Sequence, residues 1–123
     1  MRLLLDTHVL IWWDEGEGLA PAAMKAIQSA DQVYVSAASG WEIAIKASRG
    51  RLETRRRTAD AVAASGFEEL PVRLSHVEGV QELPWHHRDP FDRLLAAQAM
   101  AERLTLVTRD TVFRQYGVRT LRA

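Results

Sequence analysis

The sequence predicts an α/β fold in which helices cover both faces of a mostly parallel sheet of four to five strands. Short apolar runs without polar alternation, such as residues 3–5, are typical of strands buried on both faces of such a sheet. Segments with helical spacing separate these runs, and Gly and Pro stand at their borders. Alternation of strands and helices is the pattern of a parallel sheet with helices on both sides.

The strands and helices can be assigned in chain order. Predicted strands are residues 2–5, 32–35, 69–72, 104–107 and 118–121. Predicted helices are residues 8–14, 21–30, a segment around 41–46 that ends before Gly50, then 55–66, 75–83, 89–102 and 110–116. Ser75 and Asp89 are predicted N-caps, and Pro21 and Pro90 suit the first helical turn.

Composition indicates an ordinary globular chain. Its 123 residues suit one domain, residues 1–123, with 47% apolar and 26% charged side chains. Lys plus Arg and Asp plus Glu are balanced at 16 each, so nucleic-acid contact would need local patches. The absence of cysteine excludes thiolate catalysis and Cys-ligated metals. Without a signal peptide or a long apolar stretch, we expect a cytoplasmic protein that does not enter a membrane.

Four acidic residues are predicted to meet at one edge of the sheet. Asp6 and Asp110 follow strands, whereas Glu42 and Asp92 lie early in helices. Ligands of an open parallel sheet bind beyond the carboxyl ends of its strands. Converging carboxylates repel one another, and a hard cation such as Mg²⁺ or Mn²⁺ removes that penalty. This grouping favours a metal site, with one or two ions left open.

Each acid except Asp6 also has a purely structural interpretation. Ser39 and Glu42 have the spacing of a capping box. Asp92, three residues after the predicted N-cap Asp89, could be the acid of a second capping box. Asp110 could be the N-cap of the last helix. Asp6, between a buried strand and Thr7, has no such capping role. It is therefore the strongest single indication of function.

Several longer segments carry a resemblance to a known family. They are LLDTHVLIW at 4–12, SGWEIAIK at 39–46, WHHRDPFDRLLAAQA at 85–99 and LVTRD at 106–110. In this order they resemble the PIN-domain ribonucleases and, among them, the VapC-type toxins of bacterial toxin–antitoxin pairs. The resemblance spans nearly the whole chain and places the acidic site on the same four residues, Asp6, Glu42, Asp92 and Asp110.

The resemblance implies a three-layer α/β/α fold and an endoribonuclease that depends on Mg²⁺ or Mn²⁺. It further implies a homodimer and inhibition by a cognate VapB-like antitoxin. Asp110 is expected to be the most distant of the metal ligands. The alternative is a catalytically silent module of the same fold that binds RNA or a protein partner.

Further side chains are candidates for supporting roles. Thr7 and Thr108 could orient a carboxylate or a ligating water, and Lys46 and Arg93 could contact phosphate. Each has a structural alternative, which for Lys46 is an ion pair with Glu42. The five arginines between positions 49 and 57 could follow an RNA backbone, meet an acidic antitoxin segment or simply face solvent.

The histidine pair and the tryptophans are predicted to have roles other than metal binding. His86 and His87 lack a spaced third zinc ligand, so a loop or substrate-facing role is predicted for them. Trp12, Trp13 and Trp41 are predicted to be core or dimer-interface residues, and Trp85 is the candidate for base stacking.

Two other classes of protein were considered as alternatives, and the residues at specific positions exclude both. A receiver domain needs paired acids after its first strand, where only Asp6 stands, and a phosphorylatable Asp at the end of its central strand. A haloacid-dehalogenase-type phosphotransferase needs a second Asp at the position of His8.

Overall fold

Five parallel strands form one sheet in the structure, a computed structural model that describes residues 1–123. The elements in chain order are β1 (Arg2–Leu5), α1 (Thr7–Glu15), α2 (Pro21–Ser29), β2 (Gln32–Ser36), α3 (Ala37–Ser48), α4 (Thr58–Ala64), β3 (Glu68–Leu70), α5 (Leu74–Glu82), α6 (Pro90–Glu102), β4 (Thr105–Thr108), a 3₁₀ helix (Thr111–Tyr116) and β5 (Thr120–Arg122). The strand order is β3-β2-β1-β4-β5. The predicted three-layer α/β/α fold is confirmed.

β1 lies at the centre of the sheet because its side chains are apolar on both faces. Leu3, Leu4 and Leu5 are fully buried. Successive strand side chains point to opposite faces, so Leu4 packs in one core while Leu3 and Leu5 pack in the other. The register pairs Leu3 with Val33 on one side and with Thr105 on the other. Asp6, the next residue, therefore leaves the middle of the sheet at its carboxyl edge.

α3 begins four residues earlier than predicted. Ser36 is its N-cap, and the Ser36 hydroxyl accepts a hydrogen bond from the Ala38 N–H at 3.0 Å. The same hydroxyl donates to Gln98 Oε1 at 2.6 Å, a contact with α6. The capping-box interpretation of Ser39 and Glu42 is therefore wrong. Ser39 lies inside the helix, where its hydroxyl accepts from the Thr7 hydroxyl at 3.0 Å.

Two other predicted helix starts also move. The predicted helix 55–66 is shorter, at Thr58–Ala64. α5 starts at Leu74, so Ser75 is not its cap. Instead the Arg73 N–H donates to Nδ1 of the buried His76 at 3.0 Å, which satisfies a main-chain donor at the helix entrance.

α6 begins as predicted. The Asp89 carboxylate accepts from the Phe91 N–H at 2.8 Å and the Asp92 N–H at 3.2 Å, and Pro90 occupies the first turn. Asp110 likewise caps the 3₁₀ helix by accepting from the Val112 N–H at 2.9 Å. None of the helices has the length and apolar character that a membrane crossing requires.

Candidate functional site

The four predicted acids line one cleft at the carboxyl edge of the sheet. Asp6 comes from the end of β1 and Asp110 from just beyond β4, while Glu42 lies in α3 and Asp92 in the first turn of α6. The cleft has a volume of about 270 Å³. Its lining residues are Asp6, His8, Trp12, Glu42, Lys46, Asp89, Asp92, Arg109 and Asp110. The structure thus brings together Asp6, Glu42, Asp92 and Asp110.

Thr108 connects two of these acids. Its hydroxyl donates to Asp6 Oδ2 at 2.7 Å and accepts from the Asp110 N–H at 3.0 Å. Because Thr108 is only 3% exposed, both contacts are shielded from competing water. Thr108 therefore fixes the Asp6 carboxylate relative to the turn that carries Asp110. Thr7 is also buried, but its hydroxyl bonds to Ser39 rather than to a carboxylate.

Burial and mutual repulsion raise the pKa of two site carboxyls. Burial raises the pKa of Asp6, partly offset by the hydrogen bond from Thr108. Burial, followed by the charges of Asp6 and Asp89, raises the pKa of Asp92 to about 7, with His87 acting in the opposite direction. Carboxyl groups with raised pKa values are typical of functional sites, including those that bind cations or move protons.

His87 contacts two of the site acids, whereas the sequence had predicted only a loop or substrate-facing role for it. Its Nε2 lies 2.8 Å from Asp110 Oδ2 and 2.9 Å from Asp92 Oδ2. One donor atom from each of these three residues falls within a span of 4.8 Å. The adjacent His86 is exposed, with its ring 5.2 Å from that of Tyr116. Only the position of His87 just before the α6 cap pointed toward the site, and that signal does not separate it from His86.

Lys46 lies in the cleft, whereas Arg93 does not. Lys46 Nζ is 3.0 Å from Glu42 Oε2, the predicted ion pair, and Lys46 also lines the cleft. Arg93 is 4% exposed, and its guanidinium donates to the Pro84, Val80 and Leu83 carbonyls at 2.9, 3.0 and 3.2 Å. The structure therefore does not bring Arg93 into the cleft, because its donors hold the α5–α6 connection, and its role as a phosphate contact stays an untested prediction.

Trp12 lines the cleft, although the sequence predicted it to be a core or dimer-interface residue. The Arg109 guanidinium stacks 4.0 Å from the centroid of the Trp12 ring. Arg109 is held there by the Ala123 carbonyl at 3.1 Å and by the Gly18 carbonyl. Trp85 is 77% exposed, although Arg93 stacks 3.9 Å from its ring centroid. Trp12 and Arg109 form a wall of the cleft that the sequence did not indicate.

The basic stretch is partly used within the fold. Arg56 forms an ion pair with the buried Asp14 at 2.6 Å, and Arg55 donates to the Asp14 carbonyl at 3.2 Å. These contacts secure the end of α1. Arg49, Arg51 and Arg57 are exposed.

The donor set of the cleft fits a hard divalent cation. Asp6, Glu42, Asp92 and Asp110 offer only carboxylate oxygens, the ligands that Mg²⁺ and Mn²⁺ prefer. Burial first, and repulsion from neighbouring carboxylates second, raise the pKa values of Asp6 and Asp92, and a bound cation would offset both effects. The fold and the site thus define an α/β protein with an acidic cleft at the carboxyl edge of a parallel sheet.

Comparison with known proteins identifies the family. The PIN domain matches residues 3–118 of the chain. The chain is 33% identical over 122 residues to Ribonuclease VapC22 of Mycobacterium tuberculosis, an alignment that covers 93% of this chain and 91% of the relative. The chain therefore belongs to the PIN-domain family.

Solved structures agree with this fold. VapBC2 from Rickettsia felis bound to a DNA fragment of its promoter has a TM-score of 0.75 at 16% identity, and DNA-bound VapBC from Salmonella typhimurium has 0.74 at 17%. Each match covers 99% of this chain and 98% of the other. FitAcB from Neisseria gonorrhoeae has a TM-score of 0.68 at 19% identity and covers 97% and 96% of the two chains.

Proposed function

We propose that the chain is a Mg²⁺- or Mn²⁺-dependent endoribonuclease that acts in the cytoplasm as the toxin of a type II toxin–antitoxin system. The observation that carries the proposal is the convergence of four carboxylates from separate segments on one open cleft, where the pKa of Asp92 is raised to about 7. The ribonuclease name of the 33% identical relative supports RNA as the substrate.

Asp6, Glu42, Asp92 and Asp110 would hold the metal. A bound dication would neutralise phosphate charge and make a water molecule acidic enough to attack near neutral pH. Asp6 is the best fixed of the four, because the Thr108 hydroxyl orients it at 2.7 Å. Asp110 is oriented by its own capping bond to Val112, which leaves Oδ2 directed at His87.

The chain also supplies cations for the RNA backbone. Lys46 is 41% exposed at its side chain and contacts Glu42 at the edge of the cleft. A flexible ammonium in that position can contact a phosphate without leaving its carboxylate partner isolated. The lining is almost entirely polar, with Trp12 as its apolar member, which suits a charged backbone better than an apolar ligand.

The proposed partners are a VapB-like antitoxin and a second copy of the chain. Support for the antitoxin comes from the VapBC complexes among the structural neighbours. Co-expression with a cognate VapB-like antitoxin should give a stable complex in which ribonuclease activity is suppressed. Recovery of the two proteins in separate fractions, with activity undiminished in their mixture, would contradict this part of the proposal.

The nuclease proposal is tested by incubating the antitoxin-free protein with total bacterial RNA and Mn²⁺ or Mg²⁺. We expect discrete fragments that disappear with EDTA and in an Asp92→Asn variant. Asp60→Asn, which removes an exposed acid in α4, is the matched control and should cleave like the wild type. Intact RNA from a folded protein that binds metal would instead favour the catalytically silent binding module.

A further inference from the structure

The most unusual feature of the cleft is the way in which His87 is fixed at both ring nitrogens. Its main-chain N–H donates to the Tyr116 hydroxyl at 2.7 Å, and its Nδ1 accepts from the Asp89 N–H at 3.2 Å. Its Nε2 faces Asp92 Oδ2 and Asp110 Oδ2 at 2.9 and 2.8 Å. The ring therefore lies between the α6 cap and two of the acids that the proposed function needs.

The hydrogen-bond pattern fixes the tautomer of this ring. A main-chain N–H can only donate, so Nδ1 must accept from Asp89 and cannot carry a proton. In a neutral imidazole the proton is then on Nε2, which becomes the donor toward the two carboxylates. One N–H shared by Asp92 and Asp110 holds their oxygens close to each other.

We propose that His87 is a positioning residue that holds Asp92 and Asp110 in the orientation required for metal binding, through Nε2–H, without being a metal ligand itself. This inference rests on the proposed metal-dependent function. A ligating imidazole would have to present a free electron pair at Nε2 and carry its proton on Nδ1. The Asp89 N–H occupies Nδ1 and opposes that arrangement.

The same contacts connect His87 to the N-cap of α6. Asp89 binds Phe91 and Asp92 through its carboxylate and His87 through its N–H, so the helix cap and the imidazole are built as one unit. Partners that orient the ligands of a metal usually change metal affinity or activity by about 10–100-fold when they are removed. We expect an effect of that size for His87.

The test measures Mn²⁺ binding without RNA, so its result does not depend on catalysis. His87→Phe keeps an aromatic ring but removes both nitrogens, and His87→Gln restores an N–H near the position of Nε2. His86→Ala, at the exposed neighbouring histidine, is the matched control. Circular dichroism and thermal melting establish that each variant is folded.

We expect His87→Phe to weaken Mn²⁺ binding by about 10–100-fold, with His87→Gln recovering most of the loss and His86→Ala unchanged. Pulsed electron paramagnetic resonance detects nitrogen atoms bound to Mn²⁺. We expect the wild type and His87→Phe to give the same nitrogen signal, because His87 is not a ligand. A nitrogen signal that disappears in His87→Phe would make His87 a direct ligand, and equal affinities in all variants would remove its positioning role. Either outcome overturns the inference.

The outcome for the proposed function can be distinguished from this result. A wild-type protein that binds Mn²⁺ through a His87-dependent site but leaves RNA intact would contradict the nuclease and sustain the role of His87. If the wild type cleaves RNA and His87→Phe binds Mn²⁺ with the same affinity, the nuclease proposal stands and the positioning role of His87 is contradicted. A wild type without Mn²⁺ binding contradicts both.

Discussion

At the scale of single residues, the site combines acids that were predictable with neighbours that were not. Asp6 and Asp110 follow strands, and strand ends can be read from apolar runs. His87 contacts the cleft residue Asp110, and Arg109 is held in the cleft wall by Ala123, and no local pattern encodes either of these distant contacts. Arg93 was proposed as a phosphate contact but lies buried outside the cleft. The sequence alone does not distinguish a buried arginine beside Asp92 from one that contacts substrate.

The metal-free protein should lose stability as Asp92 ionises. The pKa of the Asp92 carboxyl is raised from 3.8 to about 7 in the folded protein. Between these two values the folded chain keeps a proton on Asp92 that the unfolded chain loses. The free energy of unfolding therefore falls as pH rises through this window. Asp92→Asn should be more stable than the wild type by about 1–3 kcal/mol at about pH 8 and nearly equal at about pH 4.

Thermal melting in EDTA at both pH values measures this difference, with Asp60→Asn as the exposed control. A wild type whose stability relative to Asp92→Asn does not change with pH would contradict the raised pKa of Asp92.

Thr108→Val should damage the site while nearly preserving side-chain shape. It removes the donor to Asp6 and leaves the partly buried Asp110 N–H without its acceptor, a cost of about 1–3 kcal/mol. The pKa of Asp6 should rise further, because the Thr108 hydrogen bond lowers it. Urea denaturation and Mn²⁺ titration measure the two effects. Thr111→Val, at an exposed neighbour, should leave both unchanged, and equal behaviour of the two variants would argue against this link.

At the scale of elements, strands were predicted more accurately than helix starts. Strand positions depend on local apolar runs, such as residues 2–5, which match β1. The start of α3 depends on Ser36, whose hydroxyl is also held by Gln98, 62 residues further along the chain. α6 was predictable because its cap, Asp89, and its first-turn proline are adjacent in sequence.

The connection between α5 and α6 should depend on Arg93. Arg93→Met removes the donors to three main-chain carbonyls, and we expect a loss of about 2–4 kcal/mol in the free energy of unfolding. Urea denaturation measures it, with the exposed Arg88→Met as the control. Unchanged stability together with lost RNA binding would support the role of Arg93 as a phosphate contact.

At the scale of the whole molecule, the parallel sheet and its two covering layers followed from the alternation of strands and helices. The strand order, with β1 in the centre, is a tertiary property that the alternation alone does not determine. The gathering of the four acids was predictable without side-chain detail, because Asp6 and Asp110 follow strands and Glu42 and Asp92 lie early in helices at the same edge of the sheet.

We expect the chain to form a homodimer through a surface that includes Trp41. This side chain is 63% exposed in the single chain and packs edge-on against Phe91 at 5.2 Å. Large exposed aromatics are typical of interface anchors. Sedimentation velocity should show a dimer that Trp41→Glu dissociates and Trp85→Glu does not. A monomeric wild type, or a dimer indifferent to Trp41→Glu, would contradict this expectation.

The most direct test of the whole account is the chemistry at the ends of the RNA that the protein cleaves. If metal-activated water is the nucleophile, the 2′-hydroxyl takes no part and no 2′,3′-cyclic phosphate forms. We predict that the wild type with Mn²⁺ leaves new ends without cyclic phosphate, and that these ends disappear with EDTA and in Asp6→Asn. Cyclic phosphate ends, or cleavage that persists in both controls, would contradict the metal-dependent nuclease.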